Sequence, residues 1–199
     1  KVEYGGLMAM VLERVPQHAK EILDIGCGDG YISSLLMRNI SAEFYLLDQS
    51  EIAIGKAKER VPSAREFINK DITDYLSTTP DKKFGVIMAL NSLYGAELDE
   101  EFAHDLMSKL DENGVFMLAL ATGKSHFVKL QKKYWPKTHK DPIYKKNVFD
   151  DAARVFGGDQ KVIRMPLETF DLSIGQCQKI ALFMLYADKV TDAFKELSE

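Results

Sequence analysis

Short apolar runs ending in polar or glycine-rich turns alternate along this chain with segments whose apolar positions recur at helical spacing. The runs Glu21–Ile25, Glu43–Leu47, Arg65–Asn69, Phe84–Leu90 and Val115–Leu120 predict strands. Between them, Leu7–Val15 (stopping before Pro16), Tyr31–Arg38, Ile52–Arg60 (closed by Val61-Pro62) and Glu100–Leu110 predict helices. Phe84–Leu90 is apolar without interruption, the pattern of a central strand covered on both faces. Asn113-Gly114 predicts the turn into the fifth strand, and Asp99-Glu100-Glu101 reads as helix capping rather than as a metal site. Further on, a helix is expected near Val148–Phe156, then strands at Lys161–Phe170 and Lys179–Tyr186. No helix separates those two strands, which predicts an antiparallel hairpin at one sheet edge. The alternation as a whole predicts an α/β fold with a doubly wound, mostly parallel sheet.

Composition narrows the class only a little. At 199 residues, positions 1–199 are expected to form one domain with a core of its own. A formal charge of −4 suggests no general attraction to nucleic acid or membrane, and no apolar run approaches the ~20 residues of a membrane span. Cys27 and Cys177 are too few and too far apart for a disulfide framework or zinc site, which points to a reducing, cytoplasmic setting. No histidine pair has metal-ligand spacing, so no metal is expected. The chain opens at Lys1 rather than Met, and the expectation is that some N-terminal sequence has been trimmed.

The candidate chemistry sits just past the first strand. In an open α/β sheet the ligand lies beyond the C-terminal strand ends, where Gly26, Gly28 and Gly30 fall. A dinucleotide fingerprint, G-x-G-x-x-G, would need glycine where the chain has Tyr31, and no Gly-Lys-Ser/Thr ending marks a Walker A loop. Asp48, closing strand two, is placed to accept hydrogen bonds from ribose hydroxyls. Asp71, after strand three, is placed to accept from the exocyclic amine of adenine. Either acid alone also reads as a solvated strand-end carboxylate. A ligand with ribose and adenine but no pyrophosphate would use both acids and need no phosphate clamp. S-adenosylmethionine fits that description, and its sulfonium and ammonium suit an acid-lined rim containing Asp24 and Asp29.

Leu-Asp-Ile-Gly-Cys-Gly-Asp-Gly at 23–30, Asp48, Asp71-Ile72, the strand Phe84–Leu90 and Asn113-Gly114 occur in order. Over roughly residues 20–121 they resemble the successive motifs of class I S-adenosylmethionine-dependent methyltransferases. The resemblance implies a seven-stranded Rossmann-like sheet whose last strand is antiparallel. It also implies a cofactor site in which Asp24, Gly26, Cys27, Gly28 and Gly30 surround the methionine part. Asp48 and Gln49 would then lie at the ribose, and Asp71 with the Ile72 backbone at the adenine. The backbone of Leu90 and Asn91 would face the methionine amine, and Tyr4, just before the first helix, would close over the cofactor.

For the methyl acceptor the chain is less specific. Asn91-Ser92-Leu93-Tyr94 keeps the Asn and Tyr of the Asn-Pro-Pro-Tyr loop of nucleic-acid amino methyltransferases but lacks both prolines, which argues against base methylation. Thr122–Tyr134 and Leu167–Ser173 resemble stretches of small-molecule methyltransferases of the histamine N-methyltransferase type. That likeness implies a small-molecule acceptor, an amine among the options, with N-methylation preferred over O-methylation. Asn91, Tyr94 and His126 are the candidate acceptor-binding and catalytic residues; His126 has the alternative reading of a surface residue. The segment 124–146 holds eight Lys against one acid, Asp141. It reads either as a guide for an anionic substrate or carrier or as a solvated helix face. Two alternatives stay open: transfer or cyclisation of the cofactor's aminoalkyl arm, and RNA methylation.

Overall fold

The computed structural model describes residues 3–79, 81–120 and 148–156. Five parallel strands form one sheet: β1 (Glu21–Ile25), β2 (Glu43–Leu47), β3 (Glu66–Ile68), β4 (Phe84–Leu90) and β5 (Leu110–Ala119). Their order is β3-β2-β1-β4-β5, so the chain runs outward from β1 to β3 and then returns to add β4 on the other side of β1. The reversal of strand order falls between β1 and β4, the place where open α/β sheets bind ligands.

Six helices complete the described chain: α1 (Glu3–Leu12), α2 (Tyr31–Leu36), α3 (Glu51–Arg60), α4 (Ile72–Thr78), α5 (Glu100–Met107) and α6 (Val148–Val155). Strand side chains point alternately to the two faces, and the core divides accordingly. Ile22, Phe44, Leu46, Val86 and Met88 pack against Leu7, Met8 and Val11 of α1, Leu36 of α2, and Ile54 and Ala57 of α3. On the other face Leu23, Ile25, Leu47 and Ile87 meet α4, α5 and α6 through Tyr75, Phe102, Leu106 and Ala152. The doubly wound α/β architecture is therefore present. The expected strands at 161–170 and 179–186 lie outside the described residues, as does the segment 124–146.

Several boundaries differ from the sequence reading. Helix α1 begins at Glu3, so Tyr4 lies within it rather than before it. Helix α4 went unpredicted, although Ile72, Tyr75 and Leu76 carry the buried i, i+3, i+4 pattern and Asp71 caps it, accepting from Thr73 N at 2.8 Å. Helix α5 stops at Met107, and Leu110 already belongs to β5. Asn113-Gly114 is not the entry turn of β5 but part of a bulge within it. Phe84 pairs with Leu110 and Val86 with Val115, so two steps on β4 face five on β5. Gly114 fits there because an added Cβ would lie 3.0 Å from both Phe84 O and Asp111 N.

At the N-terminal ends of β1 and β4, Lys82 bridges Glu21 and Tyr45. Its Nζ donates to the Glu21 carboxylate and, at 3.0 Å, to the Tyr45 hydroxyl, and lies 4.4 Å from the Tyr45 ring centroid. Among the described residues no helix is long and apolar enough to cross a membrane.

The acidic start of α5 caps the helix: Asp99 Oδ1 accepts from Phe102 N at 2.8 Å. Asp99→Ala is expected to cost about 1 kcal/mol in urea unfolding and Asp99→Asn much less, with divalent cations changing neither midpoint.

Candidate functional site

Past β1 the chain turns through three left-handed glycines, with φ of 69° at Gly26, 57° at Gly28 and 73° at Gly30. Their surroundings differ. A Cβ on Gly30 would lie 2.7 Å from Val61 Cγ2, so this glycine lets the start of α2 pack on the end of α3. A Cβ on Gly26 would lie 2.4 Å from Ser92 Cβ. On Gly28 it would meet nothing within 4 Å. Of the three, Gly28 is the one whose backbone a ligand can approach closely.

The turn is fastened to β2. Gly26 N and Cys27 N both donate to the Leu47 carbonyl, at 2.7 and 3.0 Å. Gly28 N donates to Asp48 Oδ2 and Ser50 N to Asp48 Oδ1, each at 2.9 Å. Each carboxylate oxygen has a second lone pair, so Asp48 can still accept from ligand hydroxyls. Asn69 Nδ2 donates to the carbonyls of Asp48 and Gln49, at 3.0 and 2.9 Å, and sets the end of β2. The Cys27 side chain is buried in the core beside α1, α2 and α3, so at this turn Cys27 presents backbone rather than a thiolate. Burial first, then the charges of Asp24 and Asp48, push its thiol pKa up.

Asp24 is the buried acid of the site, 3% exposed on the face of β1 that also carries Ile22. The Ser33 hydroxyl donates to its Oδ2. Burial raises its pKa to about 7 and nearby Asp48 adds to the shift, while the Ser33 bond opposes it. Asp29 does not face the rim as a free acid. It holds Arg60 of α3 at 2.6 Å and accepts from Tyr31 N at 3.2 Å. Arg60 also donates to the Asp29 carbonyl at 3.0 Å and lies 5.5 Å from the Tyr31 ring centroid.

Asp71 is exposed, with Oδ1 engaged in capping α4. Ile72 N, at the first position of that helix, has no intrahelical acceptor. On the other side of β1, Leu90 ends β4 and Asn91 N donates to the Ala119 carbonyl at 2.9 Å. What the backbone at Leu90 and Asn91 offers a cation is therefore carbonyl oxygen. Asn91 and Leu93 are left-handed non-glycine residues, with φ of 56° and 63°. Each such position costs on the order of 1–3 kcal/mol and persists where its surroundings over-determine it. The Tyr94 hydroxyl lies 3.4 Å from Asn91 Oδ1.

The structure thus gathers Asp24, Gly26, Cys27, Gly28, Gly30, Asp48, Gln49, Leu90, Asn91 and Tyr94 at the C-terminal ends of β1, β2 and β4, with Asp71 and Ile72 following β3. Tyr4 lies on the first turn of α1. His126 lies outside the described residues. Sequence reasoning missed Ser33, Arg60, Asn69 and Ser92. They are ordinary polar residues whose partners lie on other elements, and no local pattern marks them.

Between about pH 4 and 7 the folded protein keeps a proton on Asp24 that the unfolded chain, at the ordinary carboxylate value of 3.8, has released. Asp24 therefore makes stability fall as pH rises through that window and level off above about 7. Asp24→Asn removes this contribution. Between pH 5 and 8 the wild type is expected to lose on the order of 2 kcal/mol relative to Asp24→Asn, as read by urea unfolding of ligand-free protein at both pH values.

The family model described as a methyltransferase domain matches residues 16–180. A malonyl-[acyl-carrier protein] O-methyltransferase of Haemophilus influenzae is 27% identical over 117 residues, 58% of this chain and 43% of that protein. A mitochondrial ubiquinone biosynthesis O-methyltransferase of Schizosaccharomyces pombe is 34% identical over 107 residues, 50% of this chain and 37% of that protein. The matches thus span less than half the length of these curated relatives. Among solved structures, an S-adenosylmethionine-dependent methyltransferase from Clostridium acetobutylicum superposes with a TM-score of 0.51 at 19% identity, covering 67% of this chain and 55% of that one. An amino pentose methyltransferase from Micromonospora echinaspora, with bound S-adenosylmethionine, gives 0.50 at 18% identity, covering 59% of this chain and 51% of that one. At such identities the structural likeness speaks to the fold. With the family match over most of its length, the chain belongs to the methyltransferase-domain family, within the class I S-adenosylmethionine-dependent superfamily.

Proposed function

We propose that residues 1–199 act as one catalytic domain transferring the methyl group of S-adenosylmethionine to a small molecule, with N-methylation preferred over O-methylation. The observation that carries the cofactor reading is the open side of Gly28. Its amide is already bonded to Asp48, and the strand leading to it carries the buried Asp24. Bound there, S-adenosylmethionine supplies an electrophilic methyl on a positively charged sulfur. Asp48, beside Gln49, would accept from the ribose hydroxyls, and Asp71 with the Ile72 amide would hold the adenine edge. The Leu90 and Asn91 carbonyls would face the ammonium of the methionine part. Asp24 would give the cationic end a negative neighbour, and Tyr4 would border the site from α1.

Displacement at a methyl carbon needs acceptor, carbon and sulfur in line, and positioning alone supplies up to about 7–11 kcal/mol in favourable cases. The loop from Asn91 to Ala96 contains no carboxylate, histidine or lysine, which suits an acceptor that is nucleophilic without losing a proton in the transition state. A neutral amine qualifies. Asn91 Oδ1 would accept its N–H and turn its lone pair toward the methyl, with Tyr94 steadying Asn91 and His126 as a further candidate contact. A carboxylate oxygen qualifies too. The O-methyltransferase names of the curated relatives support an oxygen acceptor, the malonyl-[acyl-carrier protein] enzyme supports one presented on a carrier, and the eight Lys of segment 124–146 suit an anionic one.

Titration calorimetry with S-adenosylhomocysteine tests the cofactor map. Gly28→Ala introduces a side chain that clashes with no described protein atom but occupies ligand space. It is expected to cost about 1 kcal/mol of stability, the left-handed strain alone, yet to weaken binding at least about tenfold. Asp48→Ala should weaken it comparably; unchanged affinities would refute the assignment.

Incubation with labelled S-adenosylmethionine and a metabolite pool, followed by mass analysis, reads the reaction. S-adenosylhomocysteine and an N-methylated small molecule are expected. An O-methyl ester would move the assignment to the second reading, and methylthioadenosine would overturn methyl transfer.

A further inference from the structure

The loop after β4 and the glycine turn after β1 are separated by more than sixty residues, yet Ser92 joins them. The β1–β4 ladder ends at the Asp24–Met88 pair, which leaves the Ile25 carbonyl past the last rung. A buried carbonyl needs a donor, and the Ser92 hydroxyl supplies it at 2.6 Å. On the same side, a Cβ built on Gly26 would lie 2.4 Å from Ser92 Cβ and 3.1 Å from its Oγ. Ser92 therefore occupies the space that the missing Gly26 side chain leaves.

The residues on either side of Ser92 are the two strained ones. Asn91 and Leu93 both hold left-handed backbone, with the Asn91 amide on Ala119 and the Leu93 side chain buried. Such a conformation needs external fixing, and the Ser92 hydroxyl bond lies midway between these two anchors. Gly26 is fixed in turn by its bond to Leu47.

We infer that Ser92 is a positioning residue: it clamps the post-β4 loop onto the glycine turn, so that the cofactor-facing and acceptor-facing walls keep one relative geometry. This inference rests on the cofactor reading above for its functional consequence but not for its mechanical one. With the hydroxyl removed, Asn91 and Leu93 lose the restraint that holds them left-handed. The Leu90 and Asn91 carbonyls then lose their fixed aim, and ligand affinity falls.

Two measurements on the full chain test it. In ligand-free protein, Ser92→Ala should speed amide exchange at Asn91 and leave exchange within β1 and β2 unchanged; unaltered exchange at Asn91 would overturn the clamp. With S-adenosylhomocysteine, Ser92→Ala should weaken binding about tenfold as the Leu90 and Asn91 carbonyls lose their aim, and it should lower the thermal midpoint of the free protein modestly, because the Ile25 carbonyl loses its donor. A lowered midpoint with unchanged affinity would make the contact merely structural and sink the inference.

The steric half is read from a paired substitution. Gly26→Ala should abolish or greatly weaken binding, and adding Ser92→Gly to it should recover part of the affinity although Ser92→Gly alone weakens it. A double variant no better than Gly26→Ala would refute the seat. If wild type itself failed to bind S-adenosylhomocysteine, the cofactor reading would fall, and the exchange result would still decide the clamp.

Discussion

Strand β1 has a hydrogen-bonded strand on each edge and helices on each face, and every other feature of the site follows from that enclosure. A strand held on four sides cannot shift its register without moving apolar side chains to the wrong face. Its end is therefore a fixed point, and the glycine turn begins from it. The same enclosure makes Asp24 an anomaly. A buried carboxylate flanked across the sheet by Leu46 and Met88 loses its hydration, and a single serine hydroxyl replaces little of it. A ligand carrying positive charge at that strand end would meet an acid whose ionisation it favours.

Around this fixed point the site is assembled from strand ends and helix starts, where backbone groups run out of ladder partners. Gly26 and Cys27 turn their amides to Leu47, Asp48 collects amides from Gly28 and Ser50, and Asp71 serves its own helix. The acids thus have two duties. They complete the hydrogen bonding of the polypeptide, and each carboxylate oxygen keeps a second lone pair for a ligand. A site of this kind is largely formed before any ligand arrives, because its acceptors are already oriented by the protein's own amides. Preorganisation of that sort favours tight binding through rigidity rather than through the number of contacts.

The central strands were plain in the sequence because burial on both faces writes itself as an unbroken apolar run, as in Phe84–Leu90. The glycine turn was plain because left-handed backbone leaves a compositional mark at Gly26, Gly28 and Gly30. Helix α4 is hard to read because it is only seven residues long and Asp71 fits a ligand-binding acid as well as it fits the cap of a helix carrying Ile72, Tyr75 and Leu76. The bulge in β5 was mistaken for a turn because Asn-Gly signals tight backbone without saying whether the chain reverses. Ser92, Ser33 and Arg60 were illegible for a different reason. Their partners Ile25, Asp24 and Asp29 are neighbours only once the sheet and its helices exist, and tertiary proximity leaves no periodicity to read. The acceptor's identity belongs to the same category.

The cluster of Glu21, Tyr45 and Lys82 sits at the opposite end of the strands from the glycine turn and the loop after β4. One end of the sheet thus carries a polar fastening while the other carries the loops, with the length of β1 and β4 between them. Substitutions among the rim residues can accumulate without disturbing the cluster that ties the strand starts together. What a rim substitution costs in stability, as at Gly28 or Asp24, is therefore set by the contacts at its own end of the sheet.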